Sequence, residues 1–141
     1  MKKKDTNDLQ QELAAIADLD LFLAENQDSF NHATFSELLN ALFTKSGLTK
    51  AAFSKRAGTS EVYLYQIFSG GRMPSRDRVI CLCFGLSATL EETQNLLKHS
   101  GLAQLYAKDR RDAIIIYGLS HGMELVDIND KLFSENEATL C

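Results

Sequence analysis

The chain has a single proline, Pro74, and three cysteines among 141 residues, and it contains no long apolar run. So few breakers in a sequence of this length point to an all-α fold. An odd number of cysteines cannot close a disulfide framework, and Cys81 and Cys83 fall in a predicted helix where their side chains point to different faces. They read as small buried apolar residues. His32, His99 and His121 have no ligand spacing among themselves or with cysteine, so neither a metal nor a cofactor is expected. No stretch reaches the roughly 20 apolar residues that span a bilayer. The lysines after Met1 lead into a charged amphipathic segment, not into the apolar core of a signal peptide. A soluble, cytoplasmic chain with no membrane partner is the expectation. No nucleophile, base and orienting group can be assembled from the spacing, and Gly70-Gly71 reads as a helix stop rather than a phosphate loop. An enzyme is not expected.

The formal net charge is −4, which taken alone argues against a nucleic-acid partner. Its distribution reverses that. Residues 1–34 hold three lysines against seven acidic side chains, and residues 81–141 hold five basic against nine acidic. Residues 35–80 hold seven basic side chains, Lys45, Lys50, Lys55, Arg56, Arg72, Arg76 and Arg78, against Glu37, Glu61 and Asp77, a local +4. Positive charge gathered on one segment is the electrostatic footprint of a phosphate-binding surface.

The same segment has the clearest punctuation in the chain, from Leu48 to Pro74. Thr49 can cap a first helix, and Gly58 can end it in the left-handed conformation. Thr59 or Ser60 caps a second helix, which stops at Ser69-Gly70-Gly71. Phe53 and Ala57 on the first, and Leu64, Ile67 and Phe68 on the second, give each helix one apolar stripe. Ser54 supplies a small residue for a close helix crossing. These positions, with Lys50, the Phe53-Ser54 pair and the Ser69-Gly70 stop, resemble the Cro-repressor-like (lambda-repressor-like, XRE) DNA-binding domains.

The resemblance covers roughly residues 35–99 and implies a five-helix domain that binds double-stranded DNA, of a bacterial or phage type found on the nucleoid. It places Glu61, Val62 and Gln66 at base-facing positions, on an outward face that also holds Ser60, Tyr65 and Ser69. Gln66 can pair bidentately with adenine, Glu61 can accept from cytosine N4, and Val62 can touch a thymine methyl. Thr49, Lys50, Arg72 and Arg76 match places where the family meets phosphates, and Lys45 and Lys55 would widen that track. Two aromatics depart from a base-reading pattern. Tyr65 stands with Ser60 and Ser69 among the base-reading candidates, the alternative being Tyr63 as core and Tyr65 as a protein-contact patch, and Glu61 is repelled by phosphates.

Around this domain, assigned to residues 34–100, lie two extensions. Residues 1–33 comprise an amphipathic helix, Thr6 to Leu23 with Leu9, Leu13, Ile16, Leu19 and Leu23 on one stripe, and a polar link from Glu25 to Ala33. Thr34 and Glu37 form a capping-box pair that opens the domain, and Thr89 and Glu92 form a second. Past His99, residues 75–97 recur 35 positions later at 110–132: Arg76-Asp77 aligns with Arg111-Asp112, Ile80 with Ile115, Leu90 with Leu125 and Leu97 with Leu132. Any two amphipathic hairpins look alike, so chance similarity and a duplicated hairpin over 101–141 both stay open. Ile114-Ile115-Ile116-Tyr117 is apolar most of the way round and is expected to be buried. The functional expectation is a sequence-specific transcriptional regulator, a homodimer, with the terminal helices available for self-association or a protein partner. The alternatives are a protein-interaction adaptor and an antitoxin-like protein on the same fold.

Overall fold

A computed structural model describes residues 4–26 and 34–141. The chain divides at residues 32/33 into two compact units. The described residues are helical throughout, with nine α-helices and no strand. None of these helices is long and apolar enough to cross a membrane.

The N-terminal unit holds α1 (Thr6–Ala15) and α2 (Leu19–Glu25), where one continuous helix was expected. The break comes at Ile16, which turns extended, and Asp18 then caps a new helix by accepting from the Leu21 N–H at 3.3 Å. The stripe is interrupted with it: Leu13, Leu19 and Leu23 are exposed and Leu9 and Ile16 half-buried, while Phe22 and Asn26 are buried. Most of the expected polar link lies outside the described residues, although Glu25 closes α2.

The second unit contains α3 (Phe35–Ser46), α4 (Lys50–Arg56), α5 (Glu61–Phe68), α6 (Arg76–Gly85), α7 (Leu90–His99), α8 (Arg110–Ser120) and α9 (Leu125–Ser134). Thr34, Thr49 and Thr89 cap their helices as expected, Ser60 rather than Thr59 caps α5, and Ser75 caps α6, each accepting a backbone N–H three residues on. The Thr89–Glu92 box is complete, whereas at Thr34 only the threonine half forms. Phe53, Ala57, Leu64 and Ile67 are fully buried, and Phe43 stacks on Phe53 at 5.4 Å. Ser54 is buried, and its hydroxyl donates to the Ala51 carbonyl at 2.8 Å. A close helix approach lies at Gly85, where a Cβ would lie 2.8 Å from Ala57 Cβ and 3.0 Å from Ala57 N. Cys81 and Cys83 are buried, and burial pushes the Cys83 thiol up to about 12. Of the isoleucine run on α8, Ile115 is fully buried, Ile114 and Ile116 are half-buried and Tyr117 is exposed.

The 35-residue repeat is a structural duplication, because matching residues make matching bonds. Arg76 donates to both Asp112 oxygens at 3.2 and 2.9 Å, and Arg111 to both Asp77 oxygens at 3.0 and 3.2 Å. The same guanidiniums reach the Ala103 and Gln104 carbonyls in one copy and those of Ala138 and Thr139 in the other. Gln94 accepts from the Leu105 N–H at 2.7 Å as Asn129 accepts from the Leu140 N–H at 2.8 Å. Even the left-handed residues repeat, Ser87 with Gly122 and Gly101 with Asn136. The hairpins α6–α7 and α8–α9 pack on each other, α6 against α9 and α7 against α8, with their Arg-Asp pairs exchanged across a local two-fold.

Candidate nucleic-acid interface

The candidate surface is built on α5, a helix of 8 residues held by the stripe Leu64 and Ile67. Burying those two forces the remaining faces outward. Ser60, Glu61, Val62, Tyr65, Gln66 and Ser69 are all exposed, and the two large apolar ones, Val62 and Tyr65, are 68% and 67% exposed. Tyr63 is half-buried at the helix edge. Glu61 lies in the first turn, where its charge suits the helix dipole.

The basic residues divide by direction. Lys50 begins α4 and lies over the Phe68 ring at 5.8 Å, near the end of α5. Thr49 is exposed, and its hydroxyl accepts from the Ala52 N–H at 3.1 Å. Arg72 stacks over the Tyr63 ring at 5.0 Å and donates to Gln66 Oε1 at 3.1 Å. That bond fixes the Gln66 amide while leaving its NH2 group and one Oε1 lone pair for a base edge.

Three residues expected on the phosphate track have partners or neighbours within the chain. Arg76 is committed inside the duplicated layer, where its guanidinium bonds to Asp112, Ala103 and Gln104. Burial alone would raise the Asp112 carboxyl, but Arg76 and the Tyr106 N–H outweigh it and hold the carboxyl below its usual range. Lys45 pairs with Glu92 at 3.0 Å on the seam between α3 and α7. Lys55 lines a pocket of about 410 Å³ shared with Glu124 and Asp130, at the start of α9. Spacing on one helix shows which face a cation occupies, not which neighbouring helix that face meets.

Arg78 is a residue the sequence reading passed over. It sits 5.7 Å from the Tyr63 ring and donates to the Gly58 carbonyl at 3.4 Å. With Arg72, Ser60 and Ser75 it lines a cleft of about 600 Å³ beside the start of α5. Its signal was available in the sequence, since it lies in the first turn of α6, three residues after the Ser75 cap. Two arginines held on one aromatic face keep donors free for an anion.

A helix-turn-helix family model matches residues 39–82, which run from within α3 into α6 and contain this whole surface. That segment is a Cro/lambda-repressor-like helix-turn-helix of the XRE class, a DNA-binding domain that is typically non-enzymatic. Searches of the curated proteins and of the solved structures gave no significant match.

Proposed function

We propose that this chain, which carries a Cro/lambda-repressor-like helix-turn-helix, is a sequence-specific transcriptional regulator that places α5 in the major groove and acts as a homodimer. The observation that carries this reading is the makeup of the α5 surface: six exposed side chains around a buried stripe, with Lys50 at one side and Arg72 and Arg78 at the other. Base edges in the major groove present distinguishable donors and acceptors, and a helix of this size fits there. Gln66, steadied by Arg72, reads adenine. Glu61 accepts from cytosine N4, and Val62 packs on a thymine methyl. Thr49, Lys50 and Arg78 meet phosphates, which set register without carrying sequence information. Two copies would read half-sites about 34 Å apart.

Selection of bound duplexes from a random pool, followed by a salt series on the winner, tests this. A two-fold-symmetric site whose affinity falls steeply with salt is the expected result. Recovery of no preferred sequence, or binding insensitive to salt, would remove the reading. A second reading, a protein-interaction adaptor that keeps the fold without reading DNA, draws on the exposed pair Val62 and Tyr65. It predicts that Tyr65→Ala abolishes partner binding while DNA affinity is absent from the start.

A further inference from the structure

The duplication sets a covered hairpin beside a bare one. On the first copy, where α4 packs against α6 and α3 against α7, Val79, Leu82, Ala88 and Leu96 are all buried. One period later the same positions are Ile114, Tyr117, Met123 and Lys131. These line an open, mostly apolar groove of about 440 Å³ between α8 and α9. Ile114 and Met123 are half-buried and Tyr117 is 57% exposed.

We propose that this groove is the dimer contact of the chain, seated on the same groove of a second copy across a two-fold axis. The inference rests on the homodimeric reading above and names its surface. Charge on the rim selects a second copy as the occupant. Arg110 and Lys131 stand there with Glu135 and Glu137, paired at 2.7 Å for Arg110–Glu135, 3.0 Å for Arg110–Glu137 and 3.1 Å for Lys131–Glu135. Two cations and two carboxylates give a rim with no net field to attract a strongly acidic or basic partner. A rim that carries both signs is self-complementary, so a two-fold can bring Arg110 or Lys131 of one copy to Glu135 or Glu137 of the other. An apolar centre with a tyrosine anchor inside a charged rim is also the usual anatomy of an interface. The change from Leu82 and Leu96 to Tyr117 and Lys131 keeps the groove wettable before the second copy arrives.

Sedimentation of the full chain without DNA, over a concentration series, tests the surface. The wild type should be dimeric, and Tyr117→Glu should weaken the dimer by at least about tenfold, with unchanged helix content by circular dichroism. Tyr117→Cys in a Cys141→Ser background should form an interchain disulfide on mild oxidation by diamide, since Cys81 and Cys83 are buried and remain unreacted. A wild-type chain that stays monomeric would overturn the proposal. So would a dimer that survives Tyr117→Glu but dissociates with Phe133→Glu, on the opposite flank of α9. An intact, Tyr117-dependent dimer that shows no salt-dependent DNA binding would support this surface while removing the DNA reading.

Discussion

Replacing Asp112 with alanine should destabilise the second unit far more than replacing Asp77, although both residues hold the same place in a duplicated layer. Asp112 accepts three hydrogen bonds, two from Arg76 and one from the Tyr106 N–H at 3.0 Å, and its side chain is 9% exposed. Asp77 accepts only from Arg111 and is 40% exposed. Breaking a buried pair by removing one partner costs about 3–5 kcal/mol. Arg76 keeps the Ala103 and Gln104 carbonyls and is 25% exposed, which softens the loss. A cost of about 2–3 kcal/mol for Asp112→Ala follows, against about 1 kcal/mol or less for Asp77→Ala, where solvent screens the pair. Each aspartate sits in the first turn of its helix, so helix-dipole losses cancel in the comparison. Urea unfolding followed by circular dichroism should move the midpoint by roughly 1–2 M for Asp112→Ala at unchanged slope. The folded Asp112 pKa is depressed, so its contribution is complete above the ordinary carboxylate value and lost as pH falls through the folded one. The gap between wild type and variant should therefore close below about pH 4. Equal costs at the two sites, or a gap that widens in acid, would refute the reasoning.

Gln66→Ala should cost roughly 1–3 kcal/mol on the selected site and relax preference at one base pair, read by competition binding against single-base variants. Arg78→Ala should weaken binding to all sequences alike and flatten the salt slope by about one, whereas Arg76→Ala should lower the unfolding midpoint and leave that slope unchanged. Gly85→Ala should lower stability by about 1–2 kcal/mol in the same urea assay, because the added methyl meets Ala57 backbone and outweighs the gain in helix propensity.

The helix-turn-helix was legible because its signals are local. Thr49, Gly58, Ser60 and Gly70 do their work within a turn of chain, and the stripe residues Phe53, Ala57, Leu64 and Ile67 repeat at helical spacing. The break at Ile16 was missed because an isoleucine there also fits an unbroken stripe, although Asp18 carried a cap signal. The pairing of Arg76 inside the duplicated layer was not legible for a different reason. Its recurrence with Asp77 at Arg111-Asp112 was visible, but a repeat shows that two segments are alike, not that they exchange partners. Lys45 meets Glu92 of α7 and Lys55 lines a pocket with the start of α9, and that placement is tertiary.

One helix belongs to both halves of the second unit. α6 meets Ala57 of the helix-turn-helix through Gly85, and it carries Arg76 and Asp77 into the exchanged pairs with α8. Its 10 residues span about 15 Å. In the proposed dimer it would act as a ruler between the α8–α9 contact and the surface each copy offers to the groove. Slipping α6 by one turn would shift that surface by about 5.4 Å, enough to put paired recognition helices out of phase with half-sites about 34 Å apart. Tolerance for change along α6 should thus be set by length and register more than by the chemistry of any one side chain.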